Sequence, residues 1–199
     1  MNIINKSYKW DGSLSHRGST QYIIIHHAGA KTASPDQIHS WHLGNGWSGI
    51  GYHFVVRKDG SIFTGRPIDC IGAHTANYNS VSIGICFEGH FETEAMSDDQ
   101  IAAGKELISY LKEKYPNAKV KKHKDFHSTD CPGKNFPFDE ISNGIVKPVS
   151  SELTSINDIV WELNHRGIIT DKKLWLKKLE EDANAYWLAR KCANMTVNK

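Results

Sequence analysis

Apolar positions recur with two different periods along the chain. Tyr22–His27 is a short, continuous and largely β-branched run, which is typical of a buried strand. Val81–Glu88 places large apolar side chains on one face and small residues on the other, which predicts a second strand. Residues 98–115 repeat apolar positions every three or four residues and stop before Pro116, which predicts a helix.

Capping signals show where two helices begin. In a capping box, each of two side chains bonds the other residue's backbone N–H, and Ser34 with Gln37 matches that pattern. Ser97 with Gln100 repeats it at the start of the second helix. Lys119–Lys122 follows that helix and is predicted to be a short edge strand.

The middle of the chain predicts a hairpin and a sheet face of unusual composition. Gly51–Gly65 has two strand-like runs around an Asp-Gly turn, and alternation would place Tyr52, Phe54 and Val56 on one face. The small-residue face of Val81–Glu88 ends in a carboxylate. Such a face either floors a groove or lies under a close-packed helix, and both interpretations stay open.

The two ends of the chain differ from its centre. Residues 1–20 are polar and rich in Gly and Ser, so we expect an irregular arm. Residues 1–145 are predicted to form the main domain, and residues 152–199 a small helical module. That tail is rich in aromatic side chains, namely Trp161, Trp175, Tyr186 and Trp187.

Composition bounds the function classes. A hydrophobic content of 39% and a charged content of 23% describe a globular chain with its own core. A net charge of +2 is too small to argue for a nucleic-acid partner, so we expect none, although it would not oppose binding of an anionic polymer. The four cysteines show no paired spacing, so we expect reduced thiols. Neither a signal peptide nor an apolar run of about 18 residues is visible. We therefore expect synthesis in the cytoplasm, no membrane span and action elsewhere only after release.

The stretch Lys122–Gly133 carries the clearest chemical signal. His123 and Cys131 lie eight residues apart, far enough for a loop to bring both side chains to one point. Imidazole nitrogen and thiolate sulfur are ligands that zinc prefers, and a catalytic zinc needs three protein ligands. The third would come from His26 or His27, which point to opposite faces of their strand, so only one can reach the metal. The alternative is a solvated His123 and a buried, structural Cys131.

Five motifs occur in the order IIIHHAG, WH, GYHFVVRKDG, GAHTANYNSVSIGI and HKDFHSTDCPG. Together they resemble the type-2 N-acetylmuramoyl-L-alanine amidases over residues 20–140. That family includes phage and prophage endolysins, bacterial autolysins and animal peptidoglycan recognition proteins. The resemblance implies an α/β fold with a central mixed β-sheet flanked by helices. The tail adds a small all-α module, for which we expect a role in wall binding or dimerisation.

The resemblance also implies a site. It assigns Zn²⁺ to His26, His123 and Cys131, and the catalytic tyrosine to Tyr52. Thr129 occupies a position where the family carries lysine or threonine. Glu88 matches a glutamate of relatives that use aspartate as third ligand, so the identity of the general base stays open.

The implied reaction is zinc-assisted hydrolysis of the amide between N-acetylmuramic acid and L-alanine in peptidoglycan, most typically by an endolysin. Protonated Tyr52 suits stabilisation of the oxyanion, and Glu88 or the zinc site itself would accept the proton. His74 is interpreted as a substrate contact or a loop-ordering residue, and Trp41 as a stacking surface for the sugar. The alternatives are a non-catalytic peptidoglycan-binding module and a regulatory protein that binds a partner.

Overall fold

The computed structural model describes residues 3–144, 156–165, 167–182, 185–186 and 189. The chain divides into two compact units, residues 2–145 and a second unit made essentially of residues 146–199. Of four residues in the second unit, 158, 161, 162 and 165, only the backbone is described. The predicted aromatic roles of the Trp161 side chain and of Trp187 therefore lie outside the described residues.

The first unit contains six strands and three α-helices among its described residues. The strands are β1 (Ile3–Ile4), β2 (Tyr22–His27), β3 (Phe54–Val56), β4 (Ile62–Thr64), β5 (Ser82–Phe87) and β6 (Lys119–Lys122). The helices are α1 (Pro35–Gly44), α2 (Asp98–Lys114) and α3 (Phe138–Ser142), with short 3₁₀ turns at Asn79–Val81 and His123–Asp125.

The strands form one mixed sheet in the order β1-β4-β3-β5-β2-β6. Only the hairpin pair β3–β4 is antiparallel, and the other described pairs are parallel. This arrangement confirms the predicted α/β fold with a central mixed sheet. The expectation of an irregular N-terminal arm was wrong in part, because Ile3 and Ile4 pair with β4 as an edge strand.

One face of the sheet is the apolar core. Ile83, Ile85 and Phe87 of β5 are fully buried there. Helix α2 packs closely on this face, since a Cβ added to Gly104 would lie 2.8 Å from the Phe87 ring. The apolar period of both elements dictates this layer, because each must cover one apolar face.

The other face of β5 is covered partly by a loop and partly by helix α1. Ser82, Gly84 and Cys86 are all buried. A Cβ added to Gly84 would lie 2.5 Å from the ring of His74, which belongs to the loop at residues 66–80. Neither interpretation anticipated Gly84, which makes room for an imidazole. Cys86 agrees with the interpretation of a face under a helix, because it shares a buried apolar cluster with Ile38 of α1.

The capping predictions succeeded at one helix and failed in part at the other. At α1, Ser34 and Gln37 form the complete capping box. At α2, Ser97 accepts a hydrogen bond from the Gln100 amide, but the Gln100 side chain turns inward. Its Nε2 donates to the carbonyls of Val56 and Glu88, and so ties the helix to β3 and to the end of β5.

The second unit contains helices α4 (Ile156–His165) and α5 (Lys172–Glu181) among its described residues. They bury a small apolar cluster of Ile159, Val160, Leu163, Ile169, Leu179 and Ala189. Trp175 and Tyr186 are half-buried against this cluster rather than spread over a surface. None of the described helices has the length and apolar character needed to cross a membrane.

Candidate active site

Two parallel strands bring three metal-ligating side chains to one edge of the sheet. His26 lies at the carboxyl end of β2, and His123 follows the carboxyl end of β6. The register pairs Ile25 with Lys122, so the next residues of the two strands are neighbours. Cys131 returns from the following loop, and the ligand atoms of His26, His123 and Cys131 lie within 4.8 Å of one another.

The adjacent histidines of β2 have different roles. His26 is buried, and its Nδ1 lies 3.8 Å from the Cys131 sulfur. The ring of His27 faces the other side, where its Nδ1 accepts a hydrogen bond from the Phe91 amide at 3.2 Å. The backbone N–H of His27 donates to the Cys131 sulfur at 3.4 Å and so favours its thiolate form.

A chain of hydrogen bonds fixes the tautomer of His26. The Ser82 hydroxyl donates to the Tyr78 carbonyl at 2.7 Å, so it accepts from Nε2 of His74 at 3.4 Å. Nδ1 of His74 is then unprotonated and accepts from Nε2 of His26 at 3.1 Å. This assignment leaves the lone pair of His26 Nδ1 directed at the cluster, as a metal ligand requires.

Burial sets the protonation of two cluster members. Desolvation, with His74 and His123 nearby, lowers the pKa of His26 well below its ordinary value, so the ring is neutral. Burial raises the pKa of Cys131 to about 11, against the opposing effect of the His27 amide. A coordinated cation would reverse the second shift and hold the sulfur as a thiolate.

Tyr52 lies directly beside the cluster. Its ring centroid is 5.1 Å from that of His26, and it packs with Val55 and Cys86 on the site face of the sheet. The predicted face shared with Phe54 was wrong, because β3 begins only at Phe54 and strict alternation does not extend back to Tyr52. Burial raises the pKa of Tyr52 well above 10, so the phenol is protonated.

A cavity of about 520 Å³ opens beside the cluster. Its lining comes from loop 66–80 and from the stretch after β6, with one aromatic wall; it includes His74, Thr75, His123, Thr129 and Trp47. Thr129 Oγ1 accepts from the Cys131 amide at 3.3 Å, which leaves the hydroxyl proton for a group in the cavity.

Comparison with known proteins decides the family. Residues 16–134 match the family model of the N-acetylmuramoyl-L-alanine amidases. The chain belongs to this amidase family. The resemblance of the five sequence motifs is thereby confirmed.

The similar proteins come from bacteria, phages and insects. The amidase LysC from Clostridium intestinale URNW shares 40% identity with a TM-score of 0.69, over 72% of this chain and 96% of that one. The endolysin of Klebsiella phage KP32 is 34% identical over 58% of this chain and 82% of its own length. Wild-type Drosophila PGRP-LB is 33% identical with a TM-score of 0.62, over 71% of this chain and 92% of that one.

The two residues predicted on the substrate side, Trp41 and His74, lie differently with respect to the cavity. Trp41 is exposed on α1 and does not line the cavity, whereas Trp47, also exposed, does. Trp47 lies elsewhere than Trp41 because α1 ends at Gly44. The loop that follows turns back, so the ring of Trp47 packs against that of His42. His74 touches the cavity, but its ring nitrogens are used by His26, Thr75 and Ser82.

His127 is a site residue that sequence reasoning missed. Its Nε2 lies 3.0 Å from the Ala76 carbonyl, which can only accept, so the ring donates this hydrogen bond. The bond joins the two main walls of the cavity. The available signal was that His127 lies in the same stretch as His123. The spacing of the two histidines could not show that the partner of His127 lies on loop 66–80.

The carboxylate of Glu88 is already satisfied by hydrogen bonds from its neighbours. The Ala33 amide donates to one carboxylate oxygen at 2.9 Å, and the other accepts from Arg57 and the Lys58 amide. Burial alone would raise the pKa of Glu88, but the hydrogen bonds from Arg57, Ala33 and Lys58 outweigh it and lower the pKa. A carboxylate that is so well satisfied is a weak base.

Proposed function

We propose that this chain hydrolyses the amide between the lactyl group of N-acetylmuramic acid and the L-alanine of the stem peptide. The observation that carries the proposal is the cluster of His26, His123 and Cys131 beside Tyr52, at the wall of a cavity, in a chain of the amidase family.

The residues of the cluster fit a zinc ion. Two imidazole nitrogens and one sulfur lie close enough to share one ion, and three protein ligands leave a fourth position open. The hydrogen-bond chain through His74 presents the correct nitrogen of His26. The chemistry expected of zinc at this site is polarisation of the amide carbonyl and activation of a water molecule.

The chain's own groups would stabilise the transition state. Tyr52 is protonated at neutral pH, so its phenol can donate a hydrogen bond to the developing oxyanion. Thr129 can donate its hydroxyl proton to the same region, since its oxygen already accepts from the Cys131 amide. We infer that Glu88 supports α1 and the hairpin rather than taking part in proton transfer, and its hydrogen bonds with the Ala33 and Lys58 amides favour this role.

The cavity lining and the similar proteins both favour peptidoglycan as the substrate. Trp47 offers an exposed indole for stacking on a sugar ring, and loop 66–80 supplies polar backbone for a peptide. A Drosophila PGRP-LB Y78F mutant, 32% identical to this chain, has been solved in complex with tracheal cytotoxin. The match to phage endolysins favours action on the cell wall after release.

The test measures which bond breaks. Incubation of purified walls with zinc-loaded protein should free N-terminal alanine without new reducing sugar ends. Cys131→Ser and chelator-treated protein should release none. Wall binding by zinc-loaded protein without any alanine release would instead support a non-catalytic recognition module, and new reducing ends would indicate a glycosidase.

We also propose that residues 152–199 direct the protein to walls. The support is that the His26 cluster and the residues lining its cavity all belong to the first unit, so the proposed chemistry needs no residue of the tail. A chain truncated after Ser150 should keep zinc and cleave a soluble muropeptide but bind whole walls poorly. Halved mass in solution would identify a dimer interface instead, and loss of zinc would assign the tail to the main core.

A further inference from the structure

A second group of metal-ligating side chains lies away from the amidase site. Among the described residues, only two such groups have their ligand atoms all within 4.8 Å of one another. The second consists of His16, Asp69 and Cys70. His16 Nδ1 lies 3.0 Å from one oxygen of Asp69, and the Cys70 sulfur lies 3.8 Å from the other.

The backbone holds these three residues in place without a metal. His16 and Cys70 face each other in an antiparallel bridge. On either side of it, the Arg17 amide donates to the Asp69 carbonyl at 2.6 Å, and the Ile71 amide donates to the Ser15 carbonyl at 2.8 Å. Ligand atoms around a tetrahedral zinc stand about 3.3–3.8 Å apart for typical bond lengths. His16 Nδ1 and its Asp69 oxygen, at 3.0 Å, lie slightly below this range, and one ligand atom from each of the three residues lies within 4.8 Å of the others.

The charges around the group permit a cation but limit its affinity. A thiolate and a carboxylate would balance the charge of one divalent ion. Arg17 and Arg66 lie nearby, but their guanidiniums donate to the carbonyls of Cys70 and Ile71 rather than to the ligand atoms. Their positive charge should make this site weaker than the one at His26.

We propose that His16, Asp69 and Cys70 form a second zinc site. It takes a borderline-soft divalent ion, since nitrogen, oxygen and sulfur together are the ligand set of zinc, and exposed His16 leaves room for water at the fourth position. An ion there joins the N-terminal arm to loop 66–80. That loop carries His74, which lines the cavity and orients His26, so the site clamps one wall of the amidase centre.

The test counts zinc ions on the full chain. Metal-free protein is dialysed against zinc and analysed for metal, with chelator competition to rank the sites. Wild type should bind two equivalents, the weaker of which raises the melting temperature. His16→Ala changes an exposed side chain and should bind one equivalent, without that rise. Asp11→Asn, the control for an exposed carboxylate, should keep two.

Cobalt spectra identify the sulfur at each site. Cys70→Ser should lose the thiolate-to-cobalt band of the weaker equivalent, and Cys131→Ser that of the tighter one. One equivalent in wild type, removed by Cys131→Ser, would overturn the second site and leave the proposed function standing. Two equivalents retained in His16→Ala would also overturn it. Loss of only the tighter equivalent in Cys131→Ser supports both sites.

Discussion

The two faces of the central sheet are built from the same strands but by different rules. On one face, Ile83, Ile85 and Phe87 pack under α2 as a continuous apolar layer. On the other, Gly84 lies under His74 of loop 66–80, Cys86 clusters with Ile38 of α1, and His26 belongs to the metal-ligating cluster. The apolar face therefore depends on helix–sheet packing alone, whereas the site face depends also on which loop side chain fills the space left by Gly84.

The largest expected effect separates a metal ligand of the site face from His27, whose side chain lies on the opposite face. Cys131→Ser removes a ligand of the site face, so zinc content should fall from the one tight equivalent to none and alanine release should stop. His27→Ala changes the opposite face and should keep that equivalent, because its ring contacts Phe91 instead. Metal analysis of both variants checks this. Zinc loss in His27→Ala with retention in His26→Ala would mean that the faces are exchanged.

A substitution that leaves a cavity on the apolar face should lower stability without affecting zinc binding. Phe87→Ala removes a fully buried ring against α2 and should lower the free energy of unfolding by about 3–5 kcal/mol. Urea unfolding measures this change. The folded variant should still bind zinc at His26. An unfolding free energy equal to that of wild type would show that this face is not the structural core.

The apolar face was the more predictable of the two. Strand β2 has the bounds that its apolar run predicted, and α2 ends before Pro116 as its period required. These signals are local, because the spacing of apolar residues along a strand or helix indicates which of its faces is buried. The positions of His26, His123 and Cys131 at strand and loop ends followed from the resemblance together with strand alternation.

The site face depends on contacts between distant segments. His74 packs on Gly84, and His127 bonds the Ala76 carbonyl, yet neither pairing leaves a periodic trace. Gln100 is a further example of a contact that the sequence does not show. It matches the capping-box pattern, but its side chain donates instead to the buried carbonyls of Val56 and Glu88, which need a donor. The sequence alone could thus name candidate site residues but not assign each to metal, substrate or support.

Tyr52 tests the chemistry of the site face without changing its packing. Tyr52→Phe keeps the ring beside His26 but removes the proposed donor, so kcat should fall by about 10²–10³, or roughly 3–4 kcal/mol. Zinc content and wall binding should not change. Tyr22→Phe, which alters a phenol packed on Tyr78 and Phe126, is the matched control. Equal turnover of the two variants would exclude Tyr52 as an oxyanion donor.

His74 tests whether the hydrogen-bond chain matters for the metal. His74→Leu keeps bulk over Gly84 but removes the acceptor for His26, so zinc affinity should fall about 10–100-fold. Chelator competition measures this affinity. If His74 instead contacts the substrate, the variant should keep its zinc affinity and show a raised KM. That result would assign His74 to substrate binding.

Glu88 gives the smallest expected effect on catalysis and a distinct effect on stability. Because its oxygens serve Ala33, Arg57 and Lys58, Glu88→Gln should keep turnover within about tenfold of wild type. A loss above about a hundredfold would instead support the general-base role that one branch of the family suggests. Turnover and zinc content should be measured on the same preparations, so that a lost metal is not mistaken for a lost base.

The stability effect of Glu88→Gln has a defined pH dependence. The folded pKa of Glu88 lies below its ordinary value near 4.5, so the carboxylate stabilises the fold above that pH. This contribution is lost as the pH falls through the lowered pKa. At neutral pH the variant should lose about 1–3 kcal/mol, typical of hydrogen bonds to a buried charge. Urea unfolding of both proteins should show the difference shrinking toward acid pH, because other carboxylates titrate alike in each. A difference that stays constant with pH would mean that Glu88 acts through packing rather than through its charge.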